Sequence, residues 1–161
     1  MSIPIASPKG RFLSGTDAAK GEYKNMREIT VSASPEKIDA AVAFVNEILS
    51  RAGCPEETQT EIDVVIDELL GNIALYAYAP ETGAATVRVE TEDAPRGLTL
   101  TFMDRGAPFD PLANRRPDTT SLPARERPIG GLGLFMVRKI VDEITYRRED
   151  GMNILTVRKK F

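Results

Sequence analysis

From Glu56 to Tyr78 the apolar residues return every three or four positions, at Ile62, Val65, Ile66, Leu69, Ile73 and Tyr76, with Pro80 beyond the end of the run. That period specifies an amphipathic helix of about six turns, long enough to be the spine of a domain. A shorter helix precedes it. Ser34-Pro35-Glu36 supplies an N-cap, a proline at the first helical position and an acid in the first turn. Ile38, Ala41, Val42, Val45, Ile48 and Leu49 then recur at helical spacing until Gly53 stops the run.

Elsewhere the period falls to two. Arg27 to Ser32 sets Ile29 and Val31 on one face, as a half-buried strand does. Thr86 to Thr91 and Leu98 to Met103 alternate around Pro95-Arg96-Gly97 and predict an antiparallel hairpin, and Ile144 to Arg148 with Asn153 to Lys159 predict another turning at Asp150-Gly151. Gly133 to Asp142 reads as a short, mostly buried helix. The order β-α-α-β-β-loop-α-β-β implies an α+β two-layer sandwich, with helices on one face of a mostly antiparallel mixed sheet. Residues 1–27, rich in Gly, Ser, Ala and Lys, read as a mobile or loosely docked N-terminal arm, and 28–161 as a single domain. Between Asp110 and Ile129 four prolines and four arginines follow no period, which suits a long functional lid over about 110–130.

Composition narrows the chemistry. There is no histidine among the 161 residues. That excludes Ser-His-Asp triads and histidine phosphotransfer within this chain, and leaves proton abstraction to a carboxylate, Lys, Tyr or Cys. The net charge of −3 offers no basic footprint for nucleic acid. No apolar run of about 18 residues suggests a membrane span, and the single Cys54 suits a reducing compartment and a packed thiol. The expectation is a soluble cytoplasmic protein.

Three short motifs carry the candidate site: Asp67-Glu68-Leu69-Leu70-Gly71-Asn72, Asp104-Arg105-Gly106-Ala107-Pro108-Phe109-Asp110 and Gly130-Gly131-Leu132-Gly133-Leu134. Glu68 and Asn72, four residues apart on a helix, share one flank of the apolar stripe, whereas Asp63 and Asp67 fall on the other and read as solvated. An acid at that edge suits proton acceptance near a phosphate, and the Asn72 amide oxygen suits Mg²⁺ as a neutral hard donor. A plain solvated Glu/Asn face would show the same pair. Gly71 is an oddity inside a helix, where glycine costs about 1 kcal/mol against alanine. Asp104 ends a strand ahead of Gly106, where two acceptor oxygens suit the exocyclic amino group of adenine and reject the carbonyl of guanine. An ordinary Asp-x-Gly turn reads alike. The glycines at 130, 131 and 133 open a helix, exposing backbone N–H groups to an anion, as a hinge would also do. Arg115, Arg116, Arg125 and Arg127 stand in the lid, either solvated or available to a γ-phosphate or a protein partner.

Taken jointly, these motifs resemble the GHKL ATP-binding superfamily over about Ile29 to Val157. Glu68-x-x-x-Asn72 is similar to its N box, Asp104-x-Gly106 to its first glycine box and Gly131-x-Gly133 to its second. The wording Asp104-Arg-Gly-Ala-Pro-Phe-Asp-Pro111, Gly130-Gly-Leu-Gly-Leu134 and Val141-Asp-Glu-Ile-Thr-Tyr146 resembles most closely the anti-sigma-factor serine/threonine kinases. The resemblance implies ATP and Mg²⁺ as cofactors, Glu68 as general base, Asn72 as metal ligand and Asp104 as the adenine anchor. Gly106, Gly130, Gly131, Gly133 and Leu134 would shape the pocket. The implied substrate is a serine or threonine of an anti-anti-sigma (STAS-type) partner, which links the chain to a sigma factor. Many relatives carry a histidine four residues after the box asparagine, where this chain has Tyr76. A nucleotide-gated binding protein without phosphotransfer is the competing expectation. A homodimer through the first strand or a helix face is as consistent with the pattern as a monomer.

Overall fold

The two periods sort the chain into two layers. The computed structural model describes residues 23–113 and 132–161; residues 1–22 of the expected 1–27 arm and most of the expected lid lie outside them, and residues 23–27 are part of a strand. In chain order come β1 (Tyr23–Ser32), a 3₁₀ turn (Pro35–Lys37), α1 (Ile38–Arg51), α2 (Glu56–Asn72) and a π turn (Ile73–Ala77). β2 (Ala84–Asp93), β3 (Arg96–Asp104), α3 (Leu132–Ile140), β4 (Glu143–Glu149) and β5 (Met152–Lys160) complete the order. Among the described residues the sheet has five strands in the order β1-β2-β3-β5-β4. Every pairing of neighbours in it is antiparallel.

α1 starts as its sequence suggests, with Ser34 extended ahead of Pro35, although the Ser34 side chain makes no capping bond to the backbone. It ends on Gly53 at φ +69, with Cys54 N–H bonded to Leu49 O and Gly53 N–H to Ser50 O. These are the two bonds of a Schellman cap, and the left-handed residue it requires has no side chain here. Arg96 closes the same end by donating to the Ala52 and Gly53 carbonyls. Cys54 is packed beside it, and burial pushes its thiol up against the opposing pull of Arg96.

The core lies between the helices and one sheet face. Alternate residues of β2 (Ala85, Val87, Val89) and β3 (Leu98, Leu100, Phe102) face Val45, Leu49, Ile62, Val65 and Ile66 from α1 and α2, with Val137 of α3 completing the layer. Burying a side chain of this size contributes about 1.5–3 kcal/mol, so these contacts dominate the fold. Register extends that inward face to its polar end. Phe102 is paired with Val87 and Leu155, and two residues on, Asp104 is paired with Ala85 and Asn153. The same period that packs Phe102 therefore aims Asp104 toward the helices.

Two expectations need correction. The helix read as mostly buried, α3, buries only Val137 and exposes Leu132 and Met136. The helix over Glu56–Tyr78 is not uniform, because α-helical bonding stops at Asn72 and gives way to a π turn. A π turn uses more residues per revolution than an α-helix, so the 3.6-residue projection fails beyond it. Ile73 stays against the core, whereas Tyr76 leaves the apolar stripe and is 64% exposed.

Candidate functional site

The site begins where the π turn meets the end of β3. Gly106 lies so close to that turn that a Cβ there would collide with the carbonyl and Cβ of Ala77. Ala107 N–H donates to the Ala77 carbonyl at 2.7 Å. Tyr78 secures the junction: its hydroxyl donates to Ala84 O at 2.6 Å and accepts from Arg105 N–H at 2.8 Å. A larger residue at 106 would force apart the two segments that bracket the site.

Between them is a cavity of about 140 Å³, walled by Leu69, Ile73, Phe102 and Leu155, with Asn72, Asp104 and Asn153 as polar groups and Tyr76 and Phe109 in its lining. An apolar cavity of about 150 Å³ accepts one aromatic ring, so this one suits a flat heterocycle. Asp104 is 6% exposed. Gly106 N–H and Asn153 Nδ2 both donate to its Oδ1, each at 2.9 Å. Asp104 thus serves the local Asp-x-Gly turn with one oxygen and lines the cavity as well.

Asn72 lines the same cavity as Asp104 and leads on from it to Glu68. Asn72, the last residue of α2, is half-buried and turns its Nδ2 toward Glu68 Oε1 at 3.4 Å. That orientation leaves the amide oxygen as the end able to bind a cation. Glu68, also half-buried, reaches the first turn of α3, where a Cβ on Gly133 would overlap its carboxyl group. A carboxylate at a helix N-terminus sits in the favourable field of the helix dipole. The three motifs therefore converge through Asp104, the Asn72–Glu68 pair and Gly133.

Other expected positions differ. Leu134 packs against the hydrophobic core and is absent from the cavity lining. Gly130, Gly131 and the lid arginines Arg115, Arg116, Arg125 and Arg127 lie outside the described residues. Asp67 is exposed on the opposite flank of α2, and Asp63 accepts a bond from Asn46 at 2.8 Å instead of being free in solvent. Loss of solvent around Asp67, reinforced by Asp63 and Asp39, pushes its carboxyl up.

Asn153, Tyr146 and Arg148 carry no site role in the motifs, yet they form the polar floor beside Asp104. Their signal in the sequence is a single amide among Ile154, Leu155 and Val157, with a two-residue turn at Asp150-Gly151 that aligns Arg148 with Asn153. Both turn residues have positive φ, 51° and 75°. No cluster of three or more Cys, Asp or Glu able to hold a metal occurs among the described residues. Mg²⁺ fits this donor set only as it commonly binds, through one protein oxygen plus phosphate oxygens and water.

Comparison with known proteins agrees with the fold. Residues 31–159 match the family model of the histidine kinase-like ATPase domain. The chain is 25% identical over 133 residues to the serine-protein kinase RsbW of Staphylococcus aureus strain MRSA252, covering 79% of this chain and 82% of that protein. The RsbW of strain Newman gives the same figures. Among solved structures, the RsbU and RsbW domains of Rv1364c from Mycobacterium tuberculosis share the fold, with a TM-score of 0.61 and 18% identity over 85% of this chain. This chain spans 32% of that longer one. With its helical layer, its antiparallel sheet and the match over most of its length, the chain belongs to the family of histidine kinase-like ATPase domains.

Proposed function

We propose that this chain is an ATP-dependent protein serine/threonine kinase of the anti-sigma-factor type. In this reading it binds Mg-ATP and phosphorylates a serine or threonine of an anti-anti-sigma, STAS-type partner in the cytoplasm, so that partner exchange sets the free sigma factor and hence transcription. The observation that supports it best is the meeting of Glu68, Asn72 and Gly133 beside a cavity whose buried acid is Asp104. The homologous serine-protein kinases RsbW support the same reading.

Each residue has a separate task. Asp104 accepts the exocyclic amino group of adenine, while Ile73, Phe102 and Leu155 enclose the ring. The phosphates would extend past Asn72 toward the first turn of α3, where the Glu68 carboxyl stands against Gly133. Asn72 Oδ1 would hold Mg²⁺ as one ligand, and the ion would supply positive charge to offset that of the phosphates. Glu68 takes the proton of the substrate hydroxyl as that oxygen bonds to the γ-phosphorus and the bond to the departing ADP oxygen breaks. Phosphoryl transfer asks chiefly for alignment and charge stabilisation, which one base and one metal supply.

The test is transfer of phosphate from Mg-ATP to the partner by the wild type and Glu68→Ala. Loss of a general base should slow transfer by about a hundredfold or more. A variant that works at the wild-type rate would remove Glu68 from the chemistry. Tyr76, exposed at the cavity where many members of the superfamily carry histidine, favours a second reading, a nucleotide-gated binder. That protein would capture the partner with ATP and leave it unphosphorylated.

A further inference from the structure

Asn153 is 5% exposed and is the polar residue of an otherwise apolar stretch of β5. Its Oδ1 lies 2.8 Å from Arg148 Nη1, 2.7 Å from the Tyr146 hydroxyl and 3.4 Å from Phe109 N–H. A guanidinium and a backbone N–H only donate, so the atom facing them has to be the amide oxygen. Nδ2 is then the atom turned to Asp104 Oδ1 and to the Ala107 carbonyl, both at 2.9 Å. Those two groups accept. The amide is therefore locked from both sides, and a flip would set donors against donors and acceptors against acceptors.

The lock acts on Asp104. With Gly106 N–H on the same atom, Oδ1 of Asp104 faces two donors at 2.9 Å. The carboxyl cannot rotate without losing both, and Oδ2 is the oxygen left to meet a ligand in the cavity. Arg148 also donates to the Gly106 carbonyl at 3.2 Å, so the amide and the turn that share Asp104 are held by one guanidinium.

We infer that Asn153, held by Tyr146 and Arg148, is a positioning residue that sets purine specificity: it presents Asp104 Oδ2 as an acceptor for a 6-amino group and so excludes 6-oxo purines. A purine with a carbonyl at C6 would bring an acceptor to an acceptor, leaving both without a partner in a buried site. This inference rests on reading the cavity as the purine subsite, and its test separates the two claims.

The probes are ATP and inosine triphosphate, which differ only in the 6-amino group against a 6-oxo group and the proton on N1. Affinities of both are measured by calorimetry on the full chain with Mg²⁺, and circular dichroism checks each variant's fold. Asn153→Leu keeps the bulk of the side chain and removes its hydrogen bonds. It should lower the ATP-to-inosine-triphosphate preference by about tenfold or more. Tyr146→Phe removes one donor to the amide and leaves Arg148 in place, so the preference should fall by about threefold; this milder variant keeps the test decisive if Asn153→Leu fails to fold. A merely structural role would weaken both nucleotides equally. An unchanged preference in folded variants would overturn the inference while leaving the nucleotide site intact. A wild type that binds neither nucleotide would overturn the site reading and this inference with it.

Discussion

Asp104 ends β3 on the face that packs Phe102 and Leu100, yet it is the one acid in that row. Burial of a carboxyl is costly unless its oxygens find donors, and here Gly106 and Asn153 supply them to Oδ1. Asp104→Asn would oppose an NH₂ either to those donors or to the amino group of a bound purine. ATP affinity should fall by at least about tenfold, roughly 1.4 kcal/mol, when measured by calorimetry; an unchanged affinity would take Asp104 out of the site. Residue type makes Asp104 a candidate because an acid before Gly106 at a strand end is conspicuous. Asn153 is inconspicuous in the sequence because its meaning depends on a partner 49 positions away.

At the scale of elements, α2 is shaped by the π turn at its C-terminal end. Its apolar stripe packs Ile62, Ile66 and Leu69 as its spacing predicts, and its edge presents Glu68 and Asn72 together. The π turn then breaks the projection, moving Tyr76 to the cavity and bringing Ala77 against Gly106. Nothing in a 3.6-residue pattern announces that change, which accompanies the contact of Ala77 with the loop after β3. Gly71 is different. A Cβ there would meet nothing within 4 Å, so no packing contact requires glycine at this helical position. Gly71→Ala should raise stability by about 0.5–1 kcal/mol, read as a higher denaturant midpoint with an unchanged slope. A lower midpoint would show that the turn into Asn72 needs the freedom of glycine.

For the whole molecule, the candidate site joins both layers: Asn72 and Glu68 come from α2, Gly133 from α3, Asp104 from β3 and Asn153 from β5. A ligand bridging these elements binds the folded state alone and must stabilise it. At about a hundred times its Kd, Mg-ATP should add about 2.7 kcal/mol, or about 5–10 °C in Tm for a chain of this size. A chelator should shrink that gain if Asn72 shares Mg²⁺ with the phosphates. Equal melting shifts with and without the metal would remove Mg²⁺ from the reading, and no shift would remove ATP. No helix among the described residues is long and apolar enough to cross a membrane.

Sequence alone determined the elements and their order, because periods of 3.6 and 2, the Gly53 stop and the Asp150-Gly151 turn depend on neighbours a few positions apart. It also marked Glu68 and Asn72 by their helical spacing and Asp104 as an acid at a strand end, all three within motifs that resemble a known superfamily. Only the tertiary structure decided which of them meet. Strand register set Asn153 opposite Asp104, helix packing carried Gly133 onto Glu68, and the approach of Gly106 to Ala77 formed the cavity wall. Such contacts join residues dozens of positions apart, and no local pattern encodes them until the core has packed.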